Sequence, residues 1–170
     1  QPRSRGLGDV YKRQVQDGAL PEGIKRLEQL AGAVSADEAL EAFVRFRLAS
    51  ARYAAGMQES GADVAKVQAA WLDDLKQFVE KHPQAPDAAE AMLQMGISDE
   101  FSGNEKEAVE RYAAIVKGFP DSPSARKAQG AARRLESVGK PLALSGTGID
   151  GRPVAVESLR GRPVLVHYWA

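Results

Sequence analysis

The chain is expected to be mainly α with a short β region at its C-terminal end, and three observations lead there. Alanine is abundant while aromatic residues make up only 6% of the 170 positions, a balance that suits helices packed closely through small side chains. From Leu20 to about Leu135 apolar residues recur at helical spacing, interrupted by short polar stretches. After Leu135 that pattern stops: glycines at 146, 148, 151 and 161 and prolines at 153 and 163 replace the alanine run.

Composition narrows the function classes. Hydrophobic residues are 44% and charged residues 27%, enough apolar surface for a packed core. Lysine plus arginine equals aspartate plus glutamate at 23 each, so net charge gives no case for nucleic acid or an anionic membrane surface. No run approaches the roughly 18 apolar residues of a membrane span, and the N-terminus has no signal-peptide core. An exported parent would therefore carry its signal, and any membrane anchor, before this segment. With no cysteine, this stretch supports neither a disulfide nor thiol chemistry.

Gln1 to Gln14 (QPRSRGLGDVYKRQ) show neither helical nor strand periodicity and resemble a translated adaptor sequence that recurs at the ends of metagenomic assemblies. Arg3, Arg5, Lys12 and Arg13 against Asp9 give it +3, leaving 19 basic and 22 acidic residues elsewhere. Three regions are expected: a non-native segment at 1–14, a helical domain at 15–138 and a β-containing segment at 139–170, with the boundary near Gly139 where Gly139-Lys140-Pro141 ends the helical pattern.

Six helices are expected near 20–33, 37–57, 63–81, 87–101, 105–118 and 123–137. Ser35-Ala36-Asp37-Glu38 reads as a capping box for the second, and Asn104 with Glu107 as a looser one for the fifth. Gly103-Asn104 supplies a turn, and Pro86 and Pro123 suit first-turn positions, where proline sacrifices no intrahelical hydrogen bond. Self-comparison finds a period of 37: Phe78-Val79 recurs as Ile115-Val116, Pro83 as Pro120, Pro86 as Pro123, Ala88 as Ala125 and Ala91 as Ala128. The expected unit is a helix with a bulky face (Trp71, Leu75, Phe78, Val79; then Val109, Tyr112, Ile115, Val116), a proline turn and an alanine-rich helix. Neither unit can bury its apolar face alone, so stacking must create the core. The helices before Gly61 show no copy of this pattern.

Phe78 to Gly96 and Tyr112 to Ala131 resemble the tetratricopeptide-like repeats of bacterial envelope proteins, with Asp121-Ser122-Pro123 fitting best and Gln84-Ala85-Pro86 departing. Such a resemblance implies protein partners or a spacer role.

In the last region Leu142 to Ser145 and Val154 to Val156 read as two short strands around Asp150-Gly151, a pair suited to a tight hairpin turn. Val164 to Trp169 reads as a strand whose run Val164-Leu165-Val166 calls for burial on both faces. The order from Gly139 to Ala170 resembles the opening of thioredoxin-like domains of the TlpA/ResA class, including Ser158 to Arg162 before the strand and Tyr168-Trp169-Ala170 at its end. The fold implied is a tetratricopeptide-like helical domain followed by the incomplete β start of a thioredoxin-like α/β domain. The resemblance implies an extracytoplasmic, bacterial thiol-disulfide oxidoreductase acting on protein disulfides, with its Cys-x-x-Cys motif beyond Ala170 and Tyr168, Trp169 and Ala170 near the redox site. The segment itself would be redox-inactive and would need no cofactor. Two alternatives stay open: a peroxiredoxin-like antioxidant enzyme, whose domain opens with a similar hairpin, and a non-enzymatic scaffold of the envelope.

Other candidates are weaker. His82 and His167 are the only histidines and lack a carboxylate cluster at metal-ligand spacing, so no metal site is expected. Gly146-Thr147-Gly148 lacks the lysine and helix of a phosphate loop and reads as turn chemistry. Asp73-Asp74 and the carboxylates from Glu105 to Glu110 read as solvated helix faces.

Overall fold

The computed structural model of the chain describes residues 21–34, 36–141 and 144–167. Six helices run α1 (Pro21–Ala33), α2 (Glu38–Gln58), α3 (Val64–Lys81), α4 (Ala88–Phe101), α5 (Glu105–Gly118) and α6 (Pro123–Glu136). Strands β1 (Ser145–Thr147) and β2 (Pro153–Ala155) follow, with a 3-10 turn at Val156–Leu159. Among the described residues the fold is mainly helical with one small two-stranded sheet. Packing divides the chain between Ala132 and Arg133 into two units.

The first unit is built around α2. One of its faces places Ala42, Phe46 and Ala49 against Trp71, Leu75 and Phe78 of α3 and Ala88 and Ala91 of α4. Another places Val44, Leu48 and Ala51 against Leu27 and Ala31 of α1. Large rings meet small alanines, so the helices approach closely and each large side chain contributes on the order of 1.5–3 kcal/mol by leaving water. Phe46 and Phe78 lie 5.4 Å apart and Tyr53 stacks on Trp71 at 5.1 Å, geometries favoured by aromatic quadrupoles.

The 37-residue period is visible in the burial pattern. Trp71, Leu75 and Phe78 are answered by Ala108, Tyr112 and Ile115, and Ala88 and Ala91 by Ala125 and Ala128, all of them buried. Ala108, and not the half-exposed Val109, occupies the core position. The unit differs in phase from the one expected: α4 packs most extensively on α5, and α2 on α3. The hairpins are therefore α2/α3 and α4/α5, and the proline turns are the joints between them. The first hairpin therefore includes α2, which lies before the repeat found by self-comparison. It escaped because α2 and α3 have 21 and 18 residues against 14 and 14 for α4 and α5, and about two extra turns in α2 and one in α3 break a fixed spacing.

Local chemistry sets the helix ends. The cap of α2 is Asp37, whose Oδ1 accepts from the Leu40 amide at 3.0 Å; Ser35, the first residue of the expected capping box, lies outside the described residues. Asp63 caps α3 alike, from Lys66 at 3.1 Å. Asn104 makes no side-chain cap. Its backbone instead closes α4: Asn104 N–H bonds Asp99 O at 2.8 Å and Gly103 N–H bonds Glu100 O at 3.1 Å, with Gly103 at φ 79°, the Schellman arrangement that glycine permits at low cost.

At the start of the following helix the two joints differ by one hydroxyl. Ser122 Oγ accepts from the Ala125 amide at 3.0 Å, and α6 begins at once with Pro123. The equivalent Ala85 has no side-chain oxygen to offer, and α4 begins only at Ala88, leaving Pro86 in the turn and not in the first helical turn. Ser122→Ala is expected to cost about 0.5–2 kcal/mol in urea unfolding, and Ala85→Ser to recover a fraction of that at the first joint. A neutral Ser122→Ala would remove the cap from the account.

In the second unit β1 and β2 pair antiparallel with Thr147 opposite Pro153 and Ser145 opposite Ala155. The connection is not a two-residue turn. Gly151 N–H bonds Gly148 O at 2.9 Å and Gly148 N–H bonds Arg152 O at 2.7 Å, and Gly151 sits at φ 76°, the pattern of a three-residue loop closed by a left-handed glycine. The first strand lies later than 142–145, whose first two residues are outside the described set, and Val156 leaves the second strand to open the 3-10 turn. Residues 164–167 form no strand, and Leu165 is 94% exposed; residues 168–170 lie outside the described residues. A strand requires a paired neighbour for its backbone groups, and none is present among the described residues.

Candidate functional site

The most organised polar cluster of the first unit forms where α2 meets the end of α3. Glu41 is buried, and its Oε1 accepts from Arg45 Nε at 2.7 Å and from Lys81 Nζ at 2.6 Å. Arg45 follows from the i,i+4 spacing on α2, whereas Lys81 arrives from 40 residues away. The Lys81 hydrogen bond, then that of Arg45, holds the Glu41 carboxyl at about 2 despite its burial. A carboxyl depressed from 4.5 to about 2 stabilises the fold fully above pH 4.5, and that contribution is lost as pH falls toward 2. Thermal melts between pH 5 and 2 should show a steeper loss for the natural chain than for Glu41→Gln; parallel slopes would refute the pairing.

Next to this cluster a cleft of 190 Å³ is walled by Arg45 and Arg52 of α2 and by Asp74, Gln77 and Lys81 of α3, with Phe78 and His82 at its base. Its cations are already engaged: Arg45 and Lys81 by Glu41, and Arg52 by Glu28 of α1 at 2.9 Å. This pairing speaks against an anion-binding role. Asp74 is half-buried there, and burial raises its pKa, opposed by Arg52 and assisted by Asp73.

A second set of links joins α2, α4 and α6 in a row. Arg47 Nη1 donates to Asp87 Oδ1 at the start of α4 at 3.1 Å, and its guanidinium lies 4.6 Å from the Phe43 ring centre. Ser124 Oγ of α6 donates to Glu90 Oε2 of α4 at 2.8 Å, and Gln94 donates to Glu90 Oε1 at 2.8 Å. Phe43 is 43% exposed, and at the far end of α4 Phe101 is 89% exposed.

The residues singled out in the sequence fare unequally. Tyr168, Trp169 and Ala170 lie outside the described residues. Asp73 lies on an exposed face bonded to Gln77, but its neighbour Asp74 turns into the cleft and is not simply solvated. Lys106 and Glu110 form an exposed i,i+4 pair at 4.0 Å. Gly146 and Thr147 belong to β1 and Gly148 to the hairpin loop. His82 is buried beside Phe78, and His167 is exposed. No three metal-ligating side chains converge among the described residues, and no described helix is long and apolar enough to cross a membrane. Sequence reading missed Glu41 and Gly96; the Glu41-Arg45 spacing was a usable signal, but nothing local announces Lys81.

Residues 90–122, from the first turn of α4 through α5 to the cap of α6, match the tetratricopeptide repeat family. No curated protein and no solved structure shows significant similarity to the chain.

Proposed function

We propose that the helical unit is a protein-interaction scaffold, and the match of residues 90–122 to the tetratricopeptide repeat carries this reading. Repeats of this kind commonly mediate contacts between proteins, because stacked hairpins leave a continuous surface that no single hairpin could present. The row of α2, α4 and α6, tied by Arg47–Asp87 and Ser124–Glu90, supports it with a rigid face bearing Phe43 and Arg47. Affinity capture with the natural chain and with a Phe43→Glu, Phe101→Glu variant tests it. A partner retained by the first and lost by an equally stable second is the expected result. Identical captures from both would overturn the surface, and no retained protein at all would overturn the scaffold.

A second reading rests on residues 139–170, whose glycine-rich hairpin and following apolar run resemble the opening of a thioredoxin-like domain. In it the scaffold serves an extracytoplasmic thiol-disulfide oxidoreductase and delivers disulfide-bearing proteins to it. Thiolate attack on the substrate disulfide would give a mixed disulfide that a second thiol resolves. Sequencing the genomic DNA past the Ala170 codon tests this: a Cys-x-x-Cys motif within about ten codons supports it, and any other continuation removes it.

A further inference from the structure

His82 occupies a position that its own repeat partner fills with an apolar ring. It caps α3 at φ −126°, ψ 57°, and 37 residues on Phe119 caps α5 at φ −136°, ψ 54°. The hydrogen bonds around the two match one for one: His82 to Phe78, Ala85 to His82 and Ala88 to Ala85 at 2.8, 3.1 and 2.9 Å, against Phe119 to Ile115, Ser122 to Phe119 and Ala125 to Ser122 at 2.9, 3.0 and 3.2 Å. The imidazole is only 3% exposed and packs on Phe78 with ring centres 5.5 Å apart. Neither ring nitrogen has a hydrogen-bond partner among the described residues. A neutral imidazole tolerates such a place at some cost in desolvation, whereas an imidazolium there would bury a charge and leave two N–H donors unsatisfied.

The geometry points to His82 as an acid-sensitive latch in the joint between the α2/α3 and α4/α5 hairpins: the joint must open for the ring to take a proton, so mild acid uncouples the two hairpins. The groups around the ring do not offer a ready alternative. From α2 these are Glu38, Glu41 and Arg45, with Arg52 further along the cleft; from α3 they are Lys81 and Asp74. Glu41 is already committed to Lys81 and Arg45. The joint itself offers Gln84, Ala85 and Pro86, and Asp87 beyond them is bonded to Arg47.

Burial holds the His82 pKa below its ordinary 6.5, the carboxylates of Glu41 and Glu38 opposing this in part and Lys81 and Arg45 reinforcing it. The joint is therefore fully stable above pH 6.5 and weakens as pH falls from there to the depressed folded value. Glu41, with its carboxyl at about 2, stays ionised throughout this range. Asp74, whose pKa is raised, works in the opposite sense and cannot produce the loss.

Native-state hydrogen exchange at pH 7.5 and 5.5, corrected for intrinsic rates, tests the latch within one molecule. Opening at the amides of His82, Ala85 and Ala88 should increase by up to about tenfold per pH unit below roughly 6.5, while Phe119, Ser122 and Ala125 stay level. His82→Phe, which installs the residue of the other joint, should abolish the difference. Equal responses at the two joints would overturn the proposal even if that variant fails to fold, and so would an unchanged pH response in a folded His82→Phe protein.

Discussion

Tyr112→Ala is expected to remove about 3–5 kcal/mol of stability, a large part of the 5–15 kcal/mol typical of a domain. The ring is fully buried in α5, its hydroxyl donates to Glu100 Oε2 at 3.2 Å, and its edge lies on the backbone of α4 at Gly96. A Cβ on Gly96 would stand 2.6 Å from Tyr112 Cε1, 3.1 Å from Cδ1 and 3.2 Å from Cζ, closer than packed atoms tolerate. Gly96→Ala should therefore destabilise by about 1–3 kcal/mol through overpacking, although alanine is favoured over glycine inside a helix by about 1 kcal/mol. The sign separates the two effects. In the Tyr112→Ala background the clash is gone, and Gly96→Ala should become neutral or stabilising. Urea unfolding of the four proteins in this cycle measures the coupling, and additive changes would show that ring and glycine do not meet.

Leu75→Ala is the second large effect, about 2–5 kcal/mol. Leu75 is the 37-residue counterpart of Tyr112 and is fully buried among Ala42, Phe46, Trp71, Phe78, Ala88 and Ala91. Alanines form much of its surroundings, and they cannot reach into the space a lost isobutyl group leaves. The neighbouring helices would have to shift together to close it. Trp71 lies in the same cluster, so its near-ultraviolet dichroism should weaken along with stability. A loss below about 1 kcal/mol would mean that α2, α3 and α4 are not packed around this side chain.

Much of the helical unit was legible in the sequence, because the forces that place helix ends act within a few residues. Proline at 123, glycine at 103 and the polar residues before each apolar run locate the described helix boundaries to within one residue of those expected. The cap chemistry was less legible. Asp37 stands as the cap of α2 through a single bond to the Leu40 amide, and Asn104 looks like a side-chain cap until Gly103 draws its amide back to Asp99. The β segment was read for its composition and missed in register, since a short hairpin with no buried residue among those described has little but its loop to fix the pairing.

By itself the sequence determined a mainly α chain, its helices and a 37-residue alternation of bulky and small positions, because periodicity and turn chemistry are local. Tertiary structure alone decided which helices form hairpins, that α2 and α3 make one of longer helices, and that Lys81 meets Glu41. It alone also put Tyr112 against Gly96 and left the buried His82 nitrogens without a hydrogen-bond partner among the described residues. Lys81 meets Glu41 across 40 residues of chain, and Tyr112 meets Gly96 across 16. Such meetings depend on how whole helices pack, and close packing of large side chains on small ones admits few arrangements.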